Sequence, residues 1–510
     1  MTMSNQLPIR PTTAGSFSRR GFLGLGVGTI AAVTLAACAP PQADWIPSNG
    51  SAVKRVEKAR GGTGRVTPVS LVAAPMALDL AGKIAQTVGY GQVPAPVIRL
   101  GAGDTLRATL QNRLDTDTTV HWHGIAMRND MDGVPHVTQD PIAAGSDFVY
   151  DFVVPDPGTY WFHPHVGAQL DRGLYGALIV DDPNEPLAYD DEWVIVLDDW
   201  LDGVTATPDQ VLEDLKAGMD GMEGMEGMFM RMGNMLMGTD SELLGGDSGD
   251  VYYPHYLING KPVADPASFT GTPGSRIRLR VINVGGDTAF QFALGGHTMT
   301  VTHTDGFPVE QREVDSVLLG MGERYDLLVT LGDGVFPLVA EAVGKRERAF
   351  AVVRTGSGET PSPKVELAEL ASNRVATAGV LAASSEVLLP KRAVDRELTI
   401  RLTGGMAKYD WGINDKRFDM SDPLRDAFAV SEGERVRVKF VNETEMWHPF
   451  HLHGHTYQHT GGGPRKDTSI VLPKETVTVE FDADNPGRWM AHCHNIYHGE
   501  AGMMSVLAYR

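Results

Sequence analysis

Three ten-residue segments share one pattern, and this repeat limits the folds open to the chain more than any other feature. The segments GDTLRATLQN (103–112), GSRIRLRVIN (274–283) and GERVRVKFVN (433–442) each run from a glycine to an asparagine nine positions later. Apolar and polar residues alternate between those ends, which is typical of a half-buried β-strand. The repeat therefore predicts three homologous β domains.

The alternating segments around each copy place domain 1 at residues 66–182, domain 2 at 190–356 and domain 3 at 385–510. A chain of 510 residues is too long for one hydrophobic core, and its 58 glycines and 31 prolines suit strands joined by many turns. The net charge of −20 opposes binding to nucleic acid or to an anionic lipid surface. We expect an all-β monomer with no nucleic-acid partner.

The first 38 residues predict an export signal. The pair Arg19 and Arg20 precedes a short apolar run that ends in LAAC at Cys38. The arginine pair resembles bacterial twin-arginine (Tat) signals, and LAAC resembles a lipoprotein box whose cysteine is lipidated; plain export with cleavage nearby is the alternative. Residues 39–65 are rich in Pro, Gly and small polar residues and predict a tether. We expect a periplasmic or cell-surface protein whose only membrane attachment is a lipid on Cys38.

Histidine pairs mark the two outer copies of the repeat. Each outer copy carries two His-x-His pairs at matching positions, whereas the middle copy has Phe292 and Leu294 in place of the first pair. Residues i and i+2 of a strand share a face, so each pair directs two imidazoles to one side. Eight neutral imidazoles suit Cu, Zn or Fe rather than Mg or Ca. We expect the pairs of domains 1 and 3 to meet across a pseudo-twofold interface, with domain 2 as a spacer. The eight residues are His121, His123, His163, His165, His451, His453, His492 and His494.

A second set of ligands surrounds Cys493, whose side chain faces away from the flanking histidines. Together with Cys493, the residues His448, His498 and Met503 supply two imidazoles, one thiolate and a weak thioether. This is the ligand set of an electron-transfer copper. When domain 1 is aligned with domain 3 without gaps, none of these four ligands has a counterpart in domain 1. Their joint absence indicates that they act as a set. The residues found there instead are Thr118, Pro164, Gln169 and Leu174.

The motifs HWHG, WFHPH, HPFHLHGH and HCHNIYHGEAGM resemble, in this order, the four copper-binding signatures of the multicopper oxidases, the family of laccases and cuprous oxidases. The resemblance covers the chain from about residue 66. It implies three cupredoxin-like Greek-key β-sandwiches and four copper ions: one type 1, one type 2 and two type 3. It assigns Cys493, His448, His498 and axial Met503 to type 1, His121 and His451 to type 2, and His123, His163, His165, His453, His492 and His494 to type 3.

The resemblance also implies how the site works. Electrons from a reductant enter at the type 1 site and pass through Cys493 to the histidines beside it, and dioxygen is reduced to two waters at the three-copper cluster. Asp132 stands where similar enzymes carry a proton-relay carboxylate; a turn residue before Gly133 is the alternative. Gly499, rather than an acid, directly follows His498, and Glu500 comes one position later, which puts a second relay in doubt.

A methionine-rich insertion in domain 2, residues 219–237, holds eight of the 21 methionines and suggests the reductant. Thioethers favour Cu(I), so we interpret the segment as a Cu(I) collector. A helical core stripe is the alternative, although the many glycines weaken it. Met446 either passes electrons or Cu(I) inward or simply packs beside Trp447. The collecting residues proposed are Met219, Met222, Met225, Met228 and Met446.

The leading hypothesis is an exported multicopper oxidase that oxidises Cu(I), and phenols or diamines as a side activity, in copper tolerance. A laccase acting mainly on organic phenols is one alternative. A copper-sequestering protein without turnover is another, but a buffer has no need of a thiolate placed between cluster histidines. A nitrite-reducing relative would rely on a type 2 site between subunits, whereas this chain supplies all four His-x-His pairs itself. The remaining histidines (His136, His255, His297, His303, His455 and His459) are expected to be structural.

Overall fold

The computed structural model describes residues 44–217 and 229–510, and in these ranges strands far outnumber helices. The first sandwich is built from β1 (Val66–Leu80), β2 (Lys83–Gly89), β3 (Ala95–Gly101), β4 (Thr105–Asn112), β5 (His121–His123), β6 (Asp147–Val153), β7 (Gly158–His163) and β8 (Gly176–Asp181). They form two sheets, in the orders β2-β1-β4-β6 and β3-β8-β7-β5. The repeat strand β4 buries Leu106, Ala108 and Leu110, as its alternation predicts.

The second sandwich contains β9 (Asp191–Trp200), β10 (Met230–Met232), β11 (Met235–Met237), β12 (His255–Ile258), β13 (Lys261–Pro262), β14 (Ala267–Thr270), β15 (Arg276–Asn283), β16 (Phe290–Leu294), β17 (Met299–Thr304), β18 (Phe307–Val314), β19 (Ser316–Leu319), β20 (Arg324–Thr330), β21 (Val335–Ala342), β22 (Glu347–Arg354) and β23 (Val375–Ala376). Its sheets run β13-β12-β9-β15-β20-β17-β18 and β14-β22-β21-β16-β19-β23, and β10 and β11 form a separate hairpin.

The repeat strand β15 departs from its sequence pattern, because both of its faces are buried. Arg278 and Arg280, at the polar positions of the alternation, are 2 % exposed and bind the carboxylate of Asp326. A carboxylate partner offsets the cost of burying a guanidinium. The alternating charges of this strand therefore build an internal contact instead of a solvent-facing surface.

The third sandwich contains β24 (Arg396–Thr403), β25 (Gly412–Ile413), β26 (Phe428–Val430), β27 (Arg435–Asn442), β28 (His448–Leu452), β29 (Tyr457–His459), β30 (Arg465–Lys466), β31 (Thr468–Val471), β32 (Thr476–Asp482), β33 (Arg488–Cys493) and β34 (Met504–Tyr509). Its sheets run β25-β24-β27-β32-β29-β30 and β26-β34-β33-β28-β31. The second sheet carries His448, His451, His492 and Cys493 on the neighbouring strands β28 and β33.

Helices lie between and beside the sandwiches as α1 (Ser51–Arg60), α2 (Pro208–Ala217) and α3 (Ile496–Glu500). The tether predicted for residues 39–65 is therefore wrong for residues 44–65. Helix α1 is anchored, because Val53 is buried, the Glu57 carboxylate accepts a bond from the backbone N–H of Val153, and Arg60 donates to Asn485. Composition alone indicates a flexible linker here, but these contacts fix it against the first and third sandwiches.

The predicted export signal, residues 1–38, lies outside the described residues. In the described ranges the structure has no helix both long and apolar enough to cross a membrane.

Candidate metal centre

Matching strand pairs in the outer sandwiches place the histidines. In the first, β5 runs antiparallel to β7 with His121 opposite His163. In the third, β28 runs antiparallel to β33 with His451 opposite His492. The equivalent register gives each sandwich a cluster of imidazoles at one point on its surface. His165, His453 and His494 each lie just beyond the end of their strand, so three of the four His-x-His pairs are only partly within a strand.

The two clusters meet face to face and interlock crosswise. The ring of His121 stacks on that of His453, and the ring of His123 stacks on that of His451, each at a centroid distance of 3.8 Å. The first residue of one pair thus lies on the second residue of the other, as a pseudo-twofold axis requires. The predicted meeting of the two outer domains is what the structure shows.

The two sets of three rings that the resemblance assigns to type 3 copper are each compact. In one, the centroids of His165, His453 and His492 lie 5.1 to 5.2 Å apart. In the other, those of His123, His163 and His494 lie 5.0 to 5.8 Å apart. His121 and His451 form a pair between the triads, with centroids 5.8 Å apart. The pair and the triads form one continuous nest, because His121 stacks on His453 of one triad and His451 stacks on His123 of the other.

The electrostatics of this nest suit a transition metal. Burial lowers the pKa of His165 to about 3, and it lowers the pKa of His163, His492 and His494 well below the ordinary value, with neighbouring imidazoles adding to the effect. Neutral imidazole is the form that binds metal. Several buried ring nitrogens have no hydrogen-bond partner within the described residues, so lone pairs are free to point into the nest. These nitrogens are Nε2 of His121, His163, His165 and His451, Nδ1 of His123 and both nitrogens of His494.

Two buried carboxylates border the nest. Asp132 Oδ2 lies 3.1 Å from Nδ1 of His453, and its backbone oxygen accepts a 2.9 Å bond from Nδ1 of His121. Asp467, which we did not single out from the sequence, lies 3.0 Å from Nε2 of His123. Its only local signal is a position between Lys466 and Thr468, which does not identify a partner 344 residues away.

Two imidazoles lie beside the buried sulfur of Cys493. Its sulfur lies 3.6 Å from Nδ1 of His448 and 3.8 Å from Nδ1 of His498, and those two nitrogens are 3.1 Å apart. Burial lowers the pKa of His448 to about 3 and raises that of the Cys493 thiol well above its usual range. Met503 is buried and tied to this group by backbone bonds to Cys493 and His498. A metal would replace the thiol proton.

The first sandwich closes the equivalent position with a hydrogen bond. Thr118 and Gln169, which superpose on His448 and His498, are joined by a 2.8 Å bond from Thr118 Oγ1 to Gln169 Oε1. A hydrogen-bonded pair of polar side chains therefore stands where the third sandwich has two imidazoles.

The second sandwich reaches the Cys493 group through Asp250 and Asp287. Asp250 Oδ2 lies 3.3 Å from Nε2 of His498. Asp287 accepts from the backbone N–H of Asp250 at 3.1 Å and from the side-chain amide of Asn495 at 2.6 Å. The Asn495 oxygen in turn accepts from the N–H groups of Tyr497 and His498, capping α3. The Asp287 carboxylate thus contacts Asp250, which faces His498, and Asn495, which caps the helix that contains His498.

A cavity of about 500 Å³ opens on the outer side of this contact. It combines three thioethers with three carboxylates, and Met406 joins it from far outside the methionine-rich insertion. Its lining residues are Leu215, Met235, Leu236, Met237, Gly238, Thr239, Asp240, Asp247, Asp250 and Met406. Met446 is buried and pairs with Asp247 in a backbone bridge, but it is not among these described lining residues. Met219, Met222, Met225 and Met228 lie outside the described residues.

Comparison with known proteins decides the family. Three models described as multicopper oxidase match residues 76–185, 191–357 and 392–510, which together exceed half of the chain. The chain belongs to the multicopper oxidase family. Multicopper oxidase MmcO of Mycobacterium tuberculosis is 48 % identical over 499 residues, which cover 97 % of each protein. Copper resistance protein A of Escherichia coli is 28 % identical and aligns with 86 % of this chain and 91 % of its own.

A solved multicopper oxidase from Pseudomonas thermotolerans has the same fold. It superposes with a TM-score of 0.67 and 28 % identity, covering 87 % of this chain and 99 % of its own. The predicted three cupredoxin-like β-sandwiches are confirmed. This multicopper oxidase is an oxygen-reducing oxidoreductase with copper cofactors, and the imidazole nest and the Cys493 group are chemically suited to hold them.

Proposed function

We propose that this multicopper oxidase holds four copper ions and couples the oxidation of Cu(I) to the reduction of dioxygen to water. Cys493, His448, His498 and Met503 would hold type 1 copper, and the pair His121 and His451 would hold type 2. The two imidazole triads would hold the type 3 pair. The count comes from the resemblance of the four motifs, and the convergence of all eight imidazoles in one buried nest supports it.

When bound, the copper ions supply the one-electron steps and the reduction of dioxygen. The chain supplies their arrangement. Cys493 lies between His492 and His494 in sequence. A short covalent path through the backbone therefore joins the Cys493 sulfur to two imidazoles of the nest. Asp132 contacts His121 and His453 within hydrogen-bonding distance and is placed to hold a proton beside the nest. Burial of both groups excludes bulk water from the reacting atoms.

The contact between Asp250 and His498 carries the proposal for the reductant, because it joins the cavity to a type 1 ligand. Met235, Met237 and Met406 offer soft sulfur to Cu(I), and Asp240, Asp247 and Asp250 offer opposite charge. Burial raises the pKa of Asp247 and Asp250, and an arriving cation would reverse that shift by displacing protons. The cavity therefore favours a small soft cation.

Small phenols are a second class of reductant. A cavity of about 500 Å³ is large enough for one aromatic ring, and the Asp250 carboxyl could accept a bond from a phenol hydroxyl beside His498. The methionines contribute nothing specific to that complex, so the two activities are separable by mutation.

The test replaces the three cavity methionines by leucine, which keeps volume and removes sulfur. We expect kcat/KM for Cu(I) to fall about tenfold or more in the triple variant while that for a phenol stays within about twofold. Met232→Leu, at an exposed position of the same hairpin, is the matched control. Asp250→Asn should lower both activities. Equal loss of Cu(I) and phenol oxidation in the triple variant would refute the cavity as a Cu(I) site.

The cellular setting proposed is copper tolerance outside the cytoplasm. The relative named copper resistance protein A supports the tolerance role. Export by a twin-arginine signal, lipid attachment at Cys38, a monomeric state and Cu(I) collection by the insertion at residues 219–237 are predictions from the sequence. Mass analysis of the mature N-terminal peptide, in the wild type and in Cys38→Ser, tests the lipid directly.

A further inference from the structure

Trp45 and Ile46, near the start of the described residues, are fixed to the third sandwich. The backbone N–H of Ile46 donates a 2.8 Å bond to the backbone oxygen of Tyr509 in β34. Trp45 packs against a buried apolar cluster that includes Met504 and Val506 of the same strand. These contacts set the point at which the preceding chain leaves the folded domains.

Only five residues separate Asp44 from Cys38, the cysteine proposed above to carry lipid. Those five residues, 39–43, lie outside the described residues, but covalent geometry limits their reach. A fully extended chain spans about 3.5 Å per residue, so the Cα atom of Cys38 is at most about 20 Å from that of Asp44. A lipid on Cys38 would therefore keep this side of the third sandwich close to the membrane surface.

Helix α1, which begins five residues after Ile46, presents cations to solvent. One side of α1 packs against the first and third sandwiches through the contacts given above, and the opposite side exposes Lys54, Arg55 and Lys58. Lys54 and Lys58 are four residues apart and therefore neighbours on one face of the helix. Neither lysine forms an ion pair within the described residues. Arg55 pairs with Glu432, but the two side chains are 59 % and 41 % exposed, and such a surface pair contributes little.

This basic face is a local feature of an acidic protein. Residues 51–60 contain four cations and one acid, whereas the whole chain has a net charge of −20. Salt screens exposed charges over about 8 Å at physiological ionic strength, so a membrane responds to the face nearest to it. The acidic remainder of the protein favours turning the basic face toward an anionic surface. Cations in the last turn also stabilise a helix through its dipole, which accounts for Lys58 but not for Lys54 or Arg55.

We propose that the outer face of α1, formed by Lys54, Arg55 and Lys58, contacts the anionic surface of the membrane into which the lipid on Cys38 inserts. The inference rests on the lipid attachment proposed above, and it adds an electrostatic contact to the attachment that the sequence predicts. A lipid and a nearby group of cations form a two-part anchor, in which each part raises the effective concentration of the other at the surface. The cations determine which side of the enzyme faces the membrane.

Binding to vesicles tests the cations without the lipid. The mature chain (38–510) carrying Cys38→Ser is mixed at low salt with vesicles of equal parts phosphatidylcholine and phosphatidylglycerol, and the bound fraction is measured by sedimentation. Each cation near an anionic surface is worth about fivefold in partitioning, so the triple variant Lys54→Gln, Arg55→Gln and Lys58→Gln should bind about 100-fold more weakly. Glutamine is a good helix former and preserves α1. Unchanged binding of this variant would refute the proposal.

The matched control replaces three other lysines by glutamine. Lys364, Lys391 and Lys408 are exposed and form no ion pair within the described ranges, and their loss changes the net charge equally. We expect this control to bind like the parent protein. Equal weakening in both triple variants would mean that net charge alone governs binding. Sedimentation without vesicles reports self-association, and a dimer that only the α1 variant abolishes would assign the face to a second copy instead of a membrane.

A label on α1 tests the orientation of the lipidated protein. Cys493 is buried and a lipidated Cys38 is blocked, so Ser51→Cys, at an exposed position of α1, provides a single reactive thiol. A fluorophore there should be quenched by lipids with spin-labelled headgroups, whereas one at Ser357→Cys, exposed on the second sandwich, should not. Quenching on α1 should decrease in the α1 triple variant.

Equal quenching at the two labelled positions would contradict a preferred orientation. Quenching on α1 that persists in the triple variant would mean that the short connection to Cys38, without the cations, holds the helix at the surface. A mature N-terminal peptide without lipid would refute the proposed anchor, whereas the vesicle measurement on Cys38→Ser would still report on α1 alone.

Discussion

The carboxylate of Asp132 lies 3.1 Å from Nδ1 of His453, although 321 residues separate them in the chain. Asp132 belongs to the first sandwich and His453 to the third. Asp132 also lies 3.2 Å from Nδ1 of His121, so it faces one proposed type 2 ligand and one proposed type 3 ligand. Asp132 also ends the short 3-10 helix 129–131 and precedes Gly133 at a φ of +82°, so it occupies the predicted turn as well as contacting the two histidines.

We expect Asp132→Ala to slow the oxygen half of the reaction. A positioned proton donor contributes about 10²- to 10⁴-fold, so reoxidation of the reduced enzyme by dioxygen should fall by about 100-fold or more. Stopped-flow mixing with oxygen measures this step, and anaerobic bleaching of the blue band should proceed at the wild-type rate. Asp130→Ala, two residues away and paired with Arg128, is the control. Normal reoxidation would exclude the relay.

Replacing Cys493 by serine should abolish the blue absorption and remove one copper per chain. Even outer partners of metal ligands are worth about 10- to 100-fold, so loss of the thiolate should lower oxygen consumption by at least about 100-fold. Copper analysis with visible and EPR spectra measures both effects, and the signal of the type 2 site should persist. Cys38→Ser changes the only other cysteine and should leave the rate unaltered.

Asn495→Ala should disturb the type 1 group beyond its effect on stability. Loss of an N-cap costs about 1 kcal/mol, and the Asp287 contact that orients α3 is lost with it. We expect a shifted reduction potential and a higher KM for the reductant. Asn112→Ala removes a buried amide that bonds to the backbone oxygens of Thr116 and Ile142 in the first sandwich. A change in potential in both variants would count against a specific role for Asn495.

Stability should fall in mild acid partly because of His459. Burial lowers the pKa of this ring to about 3, with Lys466 adding to the effect, whereas an unfolded histidine titrates near 6.5. Between these values the unfolded chain binds the extra proton, so stability declines as the pH falls below about 6.5 and continues to do so down to about 3. The loss at pH 4.5 is about 2 to 3 kcal/mol at most.

Chemical denaturation of His459→Asn at pH 7 and pH 4.5 checks this expectation. The variant should show a smaller drop between the two pH values than the wild type, whatever its stability at pH 7. His136→Asn, at an exposed histidine, should keep the full drop. An unchanged drop in His459→Asn would mean that other groups account for the acid sensitivity.

Local pattern was enough to predict the strands, the three β domains and the approach of the outer two. The alternation of apolar and polar residues in β4 and β27 matches their burial, because each strand has one face toward the core of its sandwich and one face toward solvent. The same pattern misled at β15, where Arg280 contacts Thr159 of the first sandwich and both arginines bind the buried Asp326. Composition also misled at α1, since a few long-range contacts suffice to order a Gly- and Pro-flanked segment.

The residues that orient the ligands were beyond such reasoning. Asp250, Asp287 and Asp467 are ordinary charged residues in sequence, and each acquires its role from a partner in another sandwich. The second domain, predicted to act as a spacer, provides two of the three.

The sequence by itself determined which atoms are available: eight paired imidazoles, one thiolate group, and their assignment to faces by the two-residue period of a strand. That information is covalent and local, so it can be counted from the chain. Only the tertiary structure decided which imidazoles of the two outer sandwiches stack on one another, which ring nitrogens face inward and which carboxylates contact them. Those choices depend on contacts between surfaces of different domains, and such contacts exist only after the sandwiches have packed together.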